Sequence, residues 1–118
     1  MFFIGDGHAA QGDGEIDGAA IETSMDVCSP STLIKSKKVT WPHMITDTEV
    51  MSIGSTRPLI DALRLACTDM VNWLVQDYGY EKYEAVHLLG EAGKLKIANV
   101  VDPQYSVACA IDKKYLPQ

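Results

Sequence analysis

The sequence predicts an α+β fold in which the helices lie on one side of an antiparallel sheet. The first part of the chain is rich in short β-type patterns. Two helical patterns follow, at about residues 57–78 and 81–92, and the last part alternates as a β hairpin. Strands and helices fall in separate runs rather than in β-α-β alternation, which favours an antiparallel sheet with segregated helices.

Period-two patterns predict the strands of the β-rich N-terminal part. Residues 21–27 alternate apolar and polar side chains, which predicts a half-buried strand. Residues 32–40 are rich in β-formers and carry three lysines, so they are interpreted as a solvated strand edge. Pro42 donates no ladder hydrogen bond, which predicts a break in pairing over residues 41–44. Residues 49–54 predict a further short strand.

The strongest helical signal is an apolar stripe at steps of three and four residues. Thr56 suits the N-cap, Pro58 the first turn and Gly79 the stop of this helix. Its core face is predicted to consist of Leu59, Leu63, Ala66, Met70 and Leu74, and its outer face largely of Arg64, Asp69, Asn72 and Gln76. A shorter helix ends at Gly93, and His87 on it is interpreted as a surface or half-buried residue.

Two alternating runs close the chain. Residues 95–101 and 105–111 each show period-two alternation, and an Asp-Pro-Gln turn lies between them. This arrangement predicts a β hairpin. Residues 112–118 are interpreted as a tail that is held at most by Tyr115 and Leu116.

Composition and charge limit the possible functions. A length of 118 residues predicts a single domain over residues 1–118. The formal net charge of −6 argues against a nucleic-acid partner, and no apolar run is long enough to span a membrane. Cys28, Cys67 and Cys109 form no C-x-x-C motif, so we interpret them as buried, reduced thiols of a cytoplasmic protein. No signal peptide is recognised.

A glycine-rich stretch near the start concentrates the residues that could do chemistry. Residues 5–15 read Gly-Asp-Gly-His-Ala-Ala-Gln-Gly-Asp-Gly-Glu and follow an apolar strand predicted at residues 2–4. Asp6 and His8 are two positions apart, and Asp13 and Glu15 repeat that spacing. Two short extended pieces could therefore face each other across a glycine-rich bend and gather polar ligands. The alternative is a surface turn, for which glycine and aspartate are also typical.

The same stretch carries a resemblance to a known family. Residues 2–15, Phe-Phe-Ile-Gly-Asp-Gly-His-Ala-Ala-Gln-Gly-Asp-Gly-Glu, resemble the signature of the acetamidase/formamidase family. The similarity continues through residues 16–22 and returns in residues 62–66, 70–75 and 100–103, so it spans nearly the whole chain. Because family members are considerably longer, we expect this chain to correspond to the C-terminal portion of one.

The resemblance implies hydrolysis of short linear amides, such as formamide and acetamide, to ammonia and a carboxylate. The chain contains no G-x-S-x-G serine motif and no recognisable cysteine nucleophile, which leaves attack by an activated water. A divalent metal ion such as zinc could be held by Asp6, His8 and Glu15. Glu15 is alternatively the general base.

Other residues of the stretch receive supporting roles. Asp13 is expected to orient His8 or a water. The backbone N–H groups of Gly12 and Gly14 are candidates for an oxyanion hole. Asp17 stands where we expect an uncharged residue in relatives. If Asp17 lines the site, it adds a negative charge there. If Asp17 points to solvent, its charge matters little.

Two functional hypotheses besides an active amidase stay open. The chain could be a truncated or repurposed, non-catalytic domain that acts through self-association or a partner chain, and we expect a homo-oligomer in either case. The second hypothesis is a cation-binding structural module, although the regular spacing of an EF-hand loop is missing. An amidase would bind a small amide substrate, and neither nucleic acid nor membrane is expected as a partner.

Overall fold

Two antiparallel sheets of different size are present in the computed structural model, which describes residues 5–117. The smaller one is a two-stranded ribbon of β1 (Gly7–Ala10) and β2 (Ile21–Thr23). The larger one has four strands in the order β3-β4-β6-β5, namely β3 (His43–Ile45), β4 (Glu49–Thr56), β5 (Lys94–Asn99) and β6 (Tyr105–Asp112). The predicted C-terminal hairpin is therefore confirmed as β5 and β6.

Both predicted helices are confirmed, and they lie between β4 and β5 in the chain. Helix α1 spans Leu59–Tyr78 and packs against β4 and β6. Helix α2 spans Lys82–Ala92 and packs mainly on α1. The α+β class with strands before and after the helices is thereby confirmed.

The central strands bury one face against α1. On β4, Val50, Ser52 and Gly54 point toward the helix, while Met51 packs on the opposite face with two alanines of β6. Gly54 is required by close approach, because a Cβ at this position would lie 2.3 Å from the carbonyl oxygen of Ala62. The absence of a side chain at Gly54 thus lets the backbone of α1 lie directly on β4.

The ends and faces of α1 differ in part from the prediction. Gly79 ends the helix as predicted, with a left-handed φ of 74°. The prediction of Thr56 as the N-cap is wrong, because Thr56 is the last residue of β4. Pro58 occupies the N-cap position and makes no side-chain hydrogen bond there. Asp69, which was predicted on the outer face, is buried, because Ser52 and His43 supply polar partners for its carboxylate.

The N-terminal part contains less β structure than predicted. Of residues 21–27 only Ile21–Thr23 forms a strand, and this strand is exposed rather than half-buried. Residues 32–40 form no strand, because their β-type side chains have no neighbouring strand with which to pair. The predicted break at residues 41–44 is also wrong in part, since His43 begins β3 and pairs with Ser52.

The histidine of α2, the C-terminal tail and the cysteines agree with the predictions in most respects. His87 is exposed, as predicted. Leu116 is buried in the core, so the tail is held as expected. All three cysteines are free, but only Cys109 is fully buried, and the prediction of a buried thiol is wrong for Cys28, which is exposed. The strand predicted at residues 2–4 lies outside the described residues. Within residues 5–117, no helix is long and apolar enough to cross a membrane.

Candidate functional site

The β1–β2 ribbon places His8 opposite a carboxylate. His8 pairs with Glu22 in the strand register, and its Nε2 lies 3.2 Å from Oε1 of Glu22. The other ring nitrogen, Nδ1, lies 3.0 Å from Oε1 of Gln11. The two neighbours hold the imidazole from both sides, so they fix its orientation relative to the glycine-rich loop.

The surroundings of His8 favour its protonated form. The hydrogen bond to Gln11 is the largest cause that raises the pKa of His8 above its usual value, and the carboxylates of Glu22, Glu15 and Asp6 raise it further. Partial burial acts in the opposite direction and is outweighed. The neighbours of His8 therefore favour the charged imidazolium over the neutral ring.

The second half of the glycine-rich loop is a tight turn. The Glu15 backbone N–H donates to the carbonyl of Gly12 at 3.2 Å, and Gly14 and Glu15 have φ angles of 79° and 42°. The predicted second extended piece, which was to place Asp13 and Glu15 against Asp6 and His8, is therefore wrong. Two consecutive left-handed residues turn the chain here, and the strand that actually pairs with β1 is β2.

The turn is anchored to the end of the C-terminal hairpin. Oε2 of Glu15 accepts a hydrogen bond of 2.9 Å from Nδ2 of Asn99, which is 84 positions away in the sequence. The carbonyl of Gly14 accepts from the backbone N–H of Val100 at 2.9 Å. One side-chain and one backbone contact thus attach Glu15 and its neighbour to the same short segment.

A cleft lies between this turn and strand β5. It has a volume of about 490 Å³ and is lined by Asp13, Gly14, Ile16, Leu95, Lys96, Ile97 and Val100. The lining is mainly apolar and carries one negative and one positive side chain. Such a mixture suits a small ligand with one polar end.

The predicted site residues fall into different positions around the cleft and the ribbon. His8 lies in β1, and Asp6 precedes that strand and is exposed. Asp13 lines the cleft, whereas the ring nitrogens of His8 contact Gln11 and Glu22. The carbonyl groups of Gly12 and Gly14 accept hydrogen bonds from the backbone N–H groups of Glu15 and Val100, respectively.

Two further features of the loop concern metal-ligating side chains and Asp17. No group of three or more His, Cys, Asp and Glu side chains that could hold a metal ion is present within residues 5–117. Asp17 is exposed, and its Oδ1 accepts from the backbone N–H of Ala19 at 3.0 Å. Asp17 therefore supports a local turn, and its charge matters little for the site.

Three residues of the site were not identified from the sequence. Gln11 lies within the glycine-rich stretch itself, and Glu22 is the last residue of the adjoining similar segment. Asn99 was interpreted only as part of an alternating strand. The sequence feature that could have indicated Asn99 is its position at the turn of the hairpin, immediately before residues 100–103, which resemble the acetamidase/formamidase family.

Comparisons with known proteins identify the wider family. No family model matches the chain, and no curated protein matches it either. Among solved structures, an acetamidase from Yersinia enterocolitica is 42% identical with a TM-score of 0.83, and the match covers 94% of this chain and 34% of that chain. An acetamidase from Bacillus halodurans is 26% identical with a TM-score of 0.74, covering 92% of this chain and 37% of that one.

A third structure extends the comparison at the level of the fold. It is described as a predicted acetamidase/formamidase from Thermoanaerobacter tengcongensis, and it is 22% identical with a TM-score of 0.74 over 91% of this chain and 36% of that chain. The chain thus spans about a third of the length of the structures that it matches. The resemblance to the acetamidase/formamidase family that was predicted from the sequence is confirmed.

Proposed function

We propose that this chain contributes to the hydrolysis of short linear amides, such as formamide and acetamide, with release of ammonia. The observation that carries the proposal is the match to the Yersinia enterocolitica acetamidase at 42% identity, which covers 94% of this chain. The glycine-rich stretch with its histidine and carboxylates lies within this chain, and Asp13 and Gly14 of the stretch line the cleft. A formamide or acetamide molecule has one small apolar or hydrogen end and one polar amide end.

The proposed reaction assigns Glu15 as the general base. Its carboxylate removes a proton from a water molecule, and the water oxygen attacks the amide carbonyl carbon. Breaking the C–N bond then requires a proton for the departing nitrogen. His8 suits this step, because its hydrogen bond to Gln11 and the neighbouring carboxylates raise its pKa and so favour the imidazolium form, which can donate a proton.

Metal binding by Asp6, His8 and Glu15 stays a prediction. A catalytic zinc site takes three protein ligands, and the described residues do not bring such a set together. A metal ion would also compete with the proton on His8, because only the neutral imidazole coordinates. The proposed reaction therefore includes no step through a metal ion, and Asp13 and the N–H groups of Gly12 and Gly14 keep their predicted supporting roles.

The test is ammonia release from formamide and acetamide by the purified 118-residue chain, with and without a chelator. We expect release, and we expect Glu15→Gln to abolish it while the circular dichroism spectrum and unfolding midpoint stay unchanged. Glu91→Gln, an identical change at an exposed position of α2, serves as the matched control and should keep full activity. Loss of release on chelation would support the metal prediction. A wild-type chain that releases no ammonia would contradict the proposal.

The alternative is a non-catalytic role through self-association, and one observation favours it. The segment between β1 and β4 leaves large apolar side chains exposed, among them Leu33 and Ile34, which are 80% and 68% exposed. Exposed apolar clusters are typical of association sites. We propose a second copy of this chain as the partner, because every copy carries the same exposed apolar side chains. The free cysteines fit a cytoplasmic location.

Light scattering after size-exclusion chromatography tests this alternative. An oligomer that becomes monomeric in Leu33→Ser/Ile34→Ser would support it, and a monomeric wild-type chain would contradict it. Thr32→Ser, at an adjacent exposed position, controls for a change of residue in the same segment.

A further inference from the structure

Asn99 lies at the point where strand β5 leaves the sheet. The strand pairing with β6 shifts its register between Ile97 and Asn99, so the side chain of Asn99 is displaced from regular alternation. Its Nδ2 donates to Oε2 of Glu15 at 2.9 Å and also to Oδ2 of Asp102. The irregular end of β5 therefore presents an amide group to the glycine-rich turn.

The other end of the same amide organises the hairpin turn. Oδ1 of Asn99 accepts from the backbone N–H groups of Val101 and Asp102 at 3.2 and 3.1 Å. The guanidinium of Arg57 donates to the carbonyl of Asp102 at 2.9 Å and lies 4.4 Å from the centroid of the Tyr105 ring. Asn99 is thus held in place by contacts that do not involve Glu15.

Glu15 needs an external support because its own backbone does not favour this conformation. Its φ of 42° is left-handed, which is uncommon for a residue other than glycine. The backbone contact between Val100 and Gly14 fixes the turn from the same side. The side chain and backbone of the glycine-rich turn therefore share one anchor, the residues from Asn99 to Val100.

We propose that Asn99 is the positioning residue for Glu15, holding Oε2 through its amide so that Oε1 is presented to the reacting water. This inference rests on the proposed function, in which Glu15 is the general base. An amide suits the role because it donates a hydrogen bond to a carboxylate and neither gains nor loses a proton near neutral pH. Misplacement of a reacting group by about 1 Å can lower activity by about 100-fold.

The two functions of the Asn99 amide can be separated by substitution. Asn99→Asp keeps an oxygen that accepts from Val101 and Asp102, so it keeps the turn, but it removes the donor to Glu15. The double variant Asn99→Asp/Asp102→Asn also restores the net charge of the two positions. We expect both to lower kcat by up to about 100-fold with little change in KM. Asn72→Ala, at an exposed asparagine of α1, should behave as wild type.

A merely structural role gives a different result. If Asn99 only holds the hairpin turn, the double variant retains wild-type kcat, and this outcome would overturn the inference. The inference would also be overturned if both variants lost activity only to the extent that they lost stability, with a lower unfolding midpoint and with KM altered as much as kcat. A drop in kcat at an unchanged unfolding midpoint is the supporting result.

A second measurement keeps the inference testable if the wild-type chain releases no ammonia. Such silence would refute the proposed function by itself. The contact is then followed through the side-chain amide signal of Asn99 in a ¹⁵N–¹H NMR spectrum. A shift of this signal in Glu15→Gln, with none in Glu91→Gln, supports Asn99 as the residue that positions Glu15. An unchanged signal in Glu15→Gln overturns it.

Discussion

Nε2 of His43 donates a hydrogen bond to Oδ2 of Asp69 at 2.6 Å, and this contact joins the edge strand β3 to helix α1. The same carboxylate oxygen accepts from Oγ of the fully buried Ser52 at 2.7 Å. The ring of His43 also stacks on Trp73, with centroids 3.9 Å apart. A buried carboxylate thereby connects two strands of the sheet with the helix that covers them.

Asp69→Ala is expected to destabilise the fold. The substitution removes the acceptor of the Ser52 hydroxyl, which is fully buried, and an unsatisfied buried donor costs about 1–3 kcal/mol. Urea denaturation at neutral pH measures the change in the free energy of unfolding. Asp47→Ala, at an exposed position between β3 and β4, is the control and should change this free energy much less. Equal effects of the two substitutions would contradict the role of the buried contact.

The burial of Asp69 also shows what the sequence could and could not predict. The stripe of Ala66, Met70 and Leu74 was predicted correctly, because the helical period depends only on neighbours in sequence. Asp69 was assigned to the outer face because it is charged. Its partners Ser52 and His43 lie 17 and 26 positions away, and no local pattern indicates such a contact.

The same contrast between local patterns and distant contacts holds for the candidate site. The sequence predicted Asp6, His8, Asp13 and Glu15 as candidate site residues, whereas it did not predict that Gln11, Glu22 and Asn99 would be hydrogen-bond or ion-pair partners of His8 and Glu15. The support of Glu15 by Asn99 spans 84 positions and depends on how the hairpin folds back. The predicted strand over residues 32–40 failed for a related reason, because β propensity expresses itself only when a neighbouring strand is present.

Gly54→Ala is expected to destabilise the contact between β4 and α1. The new Cβ would lie 2.3 Å from the carbonyl oxygen of Ala62 and 2.6 Å from the backbone nitrogen of Ala66, so backbone must move. Such overpacking costs about 1–3 kcal/mol. Gly90→Ala in α2 is the matched control. It meets no atom within 4 Å and should stabilise the helix by about 0.5–1 kcal/mol. Thermal unfolding should shift in opposite directions, and a shared direction would refute the close-approach argument.

The pKa of His8 should fall when either of its neighbours is removed. Gln11→Leu deletes the largest cause of the raised pKa, and Glu22→Gln deletes the nearest carboxylate. NMR titration of the ring protons measures both shifts, with His87 on α2 as an internal reference in the same spectra. A pKa of His8 that is unaffected by both substitutions would contradict the described contacts.

The sign of the His8 effect on stability follows from linkage. A histidine whose pKa is raised on folding contributes stability fully below its unfolded value of about 6.5. That contribution is lost as the pH rises through the raised pKa of the folded state. The free energy of unfolding of the wild type should therefore exceed that of Glu22→Gln by more at pH 6 than at pH 9. A larger difference at pH 9 would contradict the assignment.

A group of ion pairs crosses the open face of β4, β6 and β5. Nζ of Lys94 lies 2.9 Å from Glu49 and 2.5 Å from Asp112, and Nζ of Lys96 lies 2.5 Å from Glu49. Hydrogen bonds from Lys96 and then Lys94 lower the pKa of Glu49, and the hydrogen bond from Lys94 lowers that of Asp112. The pKa of Lys94 rises to about 12, chiefly through its hydrogen bond to Asp112. Lys94 therefore connects the carboxylates of two neighbouring strands.

Lys94→Met should reduce stability in a pH-dependent way. Carboxyl groups with a lowered pKa in the folded state contribute stability above their unfolded values of about 4, and this is lost as the pH falls through the folded pKa. Urea denaturation should thus show a deficit of Lys94→Met relative to wild type at pH 7 that shrinks at pH 3. Lys35→Met, an equal change of charge in an exposed loop, corrects for the altered net charge. A deficit of the same size at both pH values would mean that the apolar stem of Lys94 stabilises the sheet, and not its ion pairs.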